Sequence, residues 1–121
     1  MSHRMIDAIN TICCVLTVGF GLFGFLAPRY TASALDLEPG KSTMGLSEMR
    51  ASVGGLFVVL GLAAIWAAEP MLYAAIGFAF AGAALGRIVS LLLDKPPLGK
   101  VFLFGGIEAV LAFWFLGANL S

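Results

Sequence analysis

Two charged side chains, Arg87 and Glu108, each stand well inside a long apolar stretch. A charge in hydrocarbon costs roughly a few kcal/mol or more unless it is paired, hydrated or able to reach the interface. The chemistry open to this pair is limited. They can neutralise one another, the guanidinium can hold a carboxylate, phosphate or quinone oxygen, or the carboxylate can serve as an acid or base. Helical rise places them at similar depth: Arg87 lies six residues before Leu93, roughly 9 Å, and Glu108 eight residues after Lys100, roughly 12 Å. Both lie towards the same side. Consecutive antiparallel helices are usual neighbours, so an Arg87–Glu108 ion pair is the first expectation.

Arg50 falls in the first turn of another apolar stretch, where its charge opposes the helix dipole and calls for an anionic partner, Glu48 or Glu108. Glu48, Arg50, Arg87 and Glu108 then come from three helices and sum to zero charge. Ser90 shares a helix face with Arg87, while Gly105 and Ala112 share one with Glu108, leaving room for close approach. Two readings follow. The cluster is either a neutral ion-pair network that fixes helix register, or the lining of a cavity whose guanidinium groups hold a small acidic or quinone-like molecule. Snorkelling of Arg87 towards the headgroups weakens the second reading more for Arg87 than for Glu108.

Other chemistry is mostly excluded. The single histidine, His3, precedes the apolar stretches, so they supply no histidine-ligated haem, chlorophyll or di-iron site and no Ser-His-Asp triad. Cys13 and Cys14 are adjacent, unlike the spaced pairs of redox or zinc motifs, and read as small apolar packing residues. Gly40 and Lys41 lack phosphate-loop spacing. No cofactor or metal is implied, no basic stripe suits a nucleic acid, and the chain is expected not to be an enzyme.

The elements that must position these residues are membrane helices. Of the 121 residues 60% are hydrophobic and 12% charged, and the mean hydropathy is +1.00. That is too apolar for an ordinary soluble domain. Apolar stretches at residues 6–27, 50–67, 71–93 and 101–118 each approach the roughly 20 residues that cross a bilayer core as a helix. Runs such as 53–68 are apolar all round, which selects helices over the alternating strands of a barrel. The expected fold is all-α, a single-domain integral membrane bundle of four transmembrane helices.

Pro28 and Arg29 close the first span, and a long connection with a Pro39–Gly40 turn signal follows; its partly apolar residues 32–37 predict a short interfacial helix. Ser47 is read as N-cap of the second span. Only Ala68, Glu69 and Pro70 separate the second and third spans, and Pro96 and Pro97 separate the third and fourth. Trp66, Tyr73 and Trp114 are expected in an aromatic belt at one interface, with Tyr30 at the other. Gly82 and Gly86 form a GxxxG pair read as packing, and Gly54, Gly55, Gly105 and Gly106 open two spans with small residues. In the first span Asp7, Asn10, Cys14, Thr17, Gly21 and Gly24 share one face, expected to point into the bundle.

Arg29, Lys41, Lys95 and Lys100 lie on one side of a four-span topology, and Arg4 and Glu69 on the other. The positive-inside rule then puts the longer connections in the cytoplasm and both termini outside. The N-terminus has some features of a secretory signal, with Ala32–Ser33–Ala34 as small residues, but its apolar run is longer than a signal's and Asp7 interrupts the basic start. Cleavage is not expected.

The segments GLSEMRASVGGLF (45–57), GAALGRIVSLLLD (82–94) and GGIEAVLAF (105–113), in this order, resemble a bacterial family of small four-helix membrane proteins known only as a domain of unknown function, itself distantly similar to the DoxX-like group. The resemblance covers about the last three quarters of the chain. It implies a four-helix inner-membrane protein with Glu48, Arg50, Arg87 and Glu108 as characteristic polar positions, and it implies no activity. DoxX-like proteins are associated with quinone-linked oxidation and redox complexes. Without a complete catalytic set, the expected role is lateral association in the bilayer, as a homo-oligomer or an accessory subunit. The alternative is a binder or carrier of a small acidic or quinone-like molecule at the Arg/Glu cluster, and the partners expected besides the lipid bilayer and other membrane subunits are a lipid or a quinone.

Overall fold

The computed structural model of the protein describes residues 1–38 and 40–120, and among them no strand occurs. Pro39, half of the expected Pro39–Gly40 turn, lies outside the described residues. Helix α1 spans His3–Leu26. It opens behind Ser2, whose hydroxyl accepts the Met5 N–H at 3.2 Å, satisfying one of the orphan donors of the first turn. Its stop is Pro28: the residue before a proline is pushed out of the helical region, and Ala27 sits at φ −129°, ψ 61°.

Pro28 then begins α2, Pro28–Ala34, at the first-turn position where its missing N–H costs nothing. A short helix is thus present as expected, displaced towards the N-terminus from 32–37 because proline sets its start. Its end is a Schellman motif, in which Leu37 donates to the Ala32 carbonyl at 2.8 Å and Asp36 to Ser33 at 3.0 Å. Asp36 takes the left-handed conformation this requires, at φ 60°.

Helix α3 runs over Met44–Ala67, with a π-helical segment at Met49–Gly55 between α-helical turns. It begins earlier than residue 50. Ser42 accepts the Met44 N–H at 3.2 Å, and the N–H of Ser47 already donates to the Thr43 carbonyl at 3.1 Å. Ser47 is therefore inside the helix and Thr43 is the flanking residue, which moves Glu48 and Arg50 beyond the first turn. Helices α4, Pro70–Leu93, and α5, Leu98–Asn119, complete the chain. Ala68 at φ 51° and an extended Glu69 break the chain before Pro70, while Lys95 at φ 51° and Pro97 do so before Leu98.

Four helices, α1, α3, α4 and α5, are long and apolar enough to cross a membrane. The protein is an all-α, multi-pass membrane protein.

The chain divides into two compact units, one of Asp7–Ala67 and one of Met1–Ile6 with Ala68–Ser121. In the first, α1 and α3 meet backbone to backbone. A Cβ on Gly54 would fall 2.5 Å from the Phe25 nitrogen, and one on Gly24 would fall 2.8 Å from the Val53 carbonyl carbon. Only glycine permits that approach. The buried face of α1 is Asn10, Cys13, Cys14, Thr17, Gly21 and Gly24, as the periodicity anticipates, except that Asp7 is exposed. Thr17 satisfies its hydroxyl on the Cys13 carbonyl at 2.8 Å.

In the second unit α4 and α5 are antiparallel neighbours. Gly77 accepts Phe115 and Leu116 against its backbone, and Tyr73 stacks on Phe115 at 6.4 Å between centroids. Tyr73 is thus a buried packing residue and not a member of an aromatic belt. It shares the face of Ala74, Ile76, Gly77 and Phe80. Trp66, by contrast, is 88% exposed.

Candidate functional site

Helix α4 carries Arg87 near its C-terminal end and α5 carries Glu108, and their antiparallel packing brings the two side chains together as the depth estimate requires. The contact is bidentate: Arg87 Nε donates to Glu108 Oε1 at 3.0 Å and Nη2 to Oε2 at 3.2 Å. Parallel N–H···O bonds of this kind fix orientation as well as charge. The side chains are 35% and 16% exposed, so the pair is largely withdrawn from the surroundings, the glutamate more than the arginine.

Two neighbours on α5 shape the site. Gly105 faces the Arg87 stem, where a Cβ would lie 3.4 Å from Arg87 Cγ; the missing side chain admits the arginine. Phe104 lies with its ring centroid 5.8 Å from the guanidinium carbon, a cation–π distance that adds attraction where water is scarce. The remaining Arg87 donors, Nη1 and one hydrogen of Nη2, make no hydrogen bond among the described residues. Ser90 lies one turn further along α4, and its carbonyl accepts the Asp94 N–H at 2.7 Å. Its hydroxyl bonds to neither Arg87 nor Glu108 among the described residues.

Glu48 and Arg50 belong to the other unit, and each has a partner there. Glu48 accepts the hydroxyl of Ser52, one turn on. Arg50 Nη1 donates to the Phe25 carbonyl at 2.7 Å. That carbonyl belongs to the last turn of α1, where orphan C=O groups concentrate negative partial charge. Arg50 therefore caps α1 from α3, at the Gly24–Gly54 crossing and inside the π-helical segment. Glu48 and Arg50 do not pair with each other among the described residues.

Ser52 and the Phe25 carbonyl were not anticipated. The first has a readable signal, a hydroxyl four residues after a carboxylate on a helix. The second has none in residue type, because the acceptor is backbone. Among the described residues no three His, Cys, Asp or Glu side chains are grouped as metal ligands would be.

No curated protein and no solved structure matches this chain. A family model does: residues 6–118 match the family described as a domain of unknown function (DUF4345). That match takes in all four membrane-length helices nearly whole, together with Glu48, Arg50, Arg87 and Glu108, and on it the chain belongs to the DUF4345 family.

Proposed function

We propose that the protein is a non-catalytic component of a bacterial inner membrane that acts by lateral association, with copies of itself or as an accessory subunit of a larger membrane complex. One observation supports this reading above others. On α4, Cβ atoms added to Gly82 and Gly86 would meet nothing within 4 Å, and Leu85 and Val89 beside them are exposed. A GxxxG face left open within the unit of α4 and α5 is the kind of surface on which a second membrane helix packs closely. Both termini are proposed to face the periplasm, following the Lys and Arg distribution.

Native mass spectrometry after mild detergent extraction tests the proposal. A homo-oligomer or a co-extracted subunit is expected, and Gly82→Ile with Gly86→Ile should dissociate it without loss of helicity. A stable monomer without partners overturns it.

A second reading takes the unused Arg87 donors as an anion subsite for a small acidic or quinone-like molecule, in keeping with the DoxX-like resemblance. Arg87→Ala should then abolish binding of a quinone probe while the helices stay folded.

A further inference from the structure

In the Asp7–Ala67 unit, α2, the turn that ends it and the first turns of α3 enclose an open cleft of about 760 Å³. Volumes of this order, roughly 300–1,000 Å³, are those of small-ligand sites. Its charged lining is Arg29 against Asp36, Glu38 and Glu48, one positive and three negative groups; Leu46 and Met49 are among its apolar walls. We propose that this cleft binds the headgroup of a zwitterionic aminophospholipid, with the phosphate at Arg29 and the primary ammonium among the carboxylates. The site is distinct from the lateral surface on α4.

Position favours a lipid. The cleft sits where α1 ends and α3 begins, and the ends of membrane-length helices lie at headgroup level. Tyr30, 67% exposed and 6.2 Å from the Phe23 ring between centroids, is the amphipathic aromatic expected at that level. Apolar walls beside the charges give the first carbons of an acyl chain a surface to follow.

The charges select among headgroups. Arg29 makes no hydrogen bond or ion pair among the described residues although three carboxylates line the same cleft, so its five donors remain for a phosphate. Among the described residues Glu38 is likewise uncommitted, and Glu48 bonds only Ser52. An anionic glycerol headgroup would bring a further negative charge beside Glu38 and Glu48. An ethanolamine headgroup brings an ammonium with three N–H donors to these carboxylates. Choline has no N–H to donate and is usually held by aromatic faces, and among the described residues no aromatic side chain lines the cleft.

Native mass spectrometry of the full chain in mild detergent, titrated with phosphatidylethanolamine, phosphatidylcholine and phosphatidylglycerol of matched acyl chains, tests this. Ethanolamine lipid should be retained about tenfold more tightly than either of the others, a difference of about 1.4 kcal/mol. Arg29→Gln should weaken ethanolamine and choline lipids together, by about fivefold or more. Glu38→Gln with Glu48→Gln should erase the preference over phosphatidylglycerol. Equal retention of the three lipids by the unaltered protein overturns the proposal, as does a preference that survives both sets of substitutions with helicity intact. Soluble phosphoethanolamine separates a lipid from a free ligand: a lipid site holds it far more weakly than the lipid, and equal affinity overturns the assignment to a lipid.

Discussion

Removing one member of the Arg87–Glu108 pair leaves the other charged, without its partner and largely withdrawn from water. Breaking a fully buried pair costs about 3–5 kcal/mol, but the 35% exposure of Arg87 lets it recover some solvation. Glu108→Leu or Arg87→Leu should therefore cost about 1–3 kcal/mol. The double substitution to leucine leaves no unpaired charge and should return most of that loss. A double-mutant cycle on the SDS unfolding midpoint in mixed micelles measures this; additive losses would show that the two side chains do not act as a pair. Arg50 poses a different case, because its partner is a carbonyl that cannot be mutated away. Arg50→Gln removes a charge-assisted bond from an exposed side chain and should cost about 1–2 kcal/mol by the same assay, with Arg50→Lys recovering part of it.

At the scale of the helices, the crossing of α1 and α3 depends on two glycines. A Cβ at Gly54 would press on the Phe25 backbone, which has no rotamer to change, so Gly54→Ala should force the helices apart and cost roughly 2–3 kcal/mol. Gly106→Ala meets open space and should stabilise α5 by roughly 0.5–1 kcal/mol. Thermal melts of the two variants should move in opposite directions, and a shared direction would contradict the assigned crossing. The sequence displays glycines at both places alike; which of them touches a neighbour depends on how the helix faces are turned. Period and spacing made the α1 face legible, and helical rise with antiparallel order made the Arg87–Glu108 pair legible. The π-helical segment at Met49–Gly55 was not legible, because one extra residue in a turn leaves no mark in composition. Nearness to a helix end points Tyr73 to the interface, whereas its spacing with Ala74, Gly77 and Phe80 puts it on the packed face. Ser47, four residues into the helix, resembles a cap because the true start, behind Ser42 and Thr43, is equally polar.

For the whole molecule the consequence to test is orientation. Four membrane-length helices place both ends of the described chain on one side and the connections around Ser42 and Lys95 on the other. Four of the seven Lys and Arg, at 29, 41, 95 and 100, accompany those connections, while Arg4 alone accompanies the ends. Arg50 and Arg87 lie in the adjoining helix halves and reinforce the bias. Since translocating these charges is resisted, the proposed orientation keeps Ser42 and Lys95 in the cytoplasm. Cys13 and Cys14 are buried and free, so a background with both replaced by alanine admits single cysteines at Ser2 and Ser42, each exposed. A membrane-impermeant maleimide applied to spheroplasts should label Ser2→Cys and spare Ser42→Cys, and inverted vesicles should reverse the pattern. Reversal in spheroplasts would overturn the orientation while leaving four spans intact. Labelling of both positions from one side would strike deeper, because it would require an even number of crossings between Ser2 and Ser42, where the fold has one, α1.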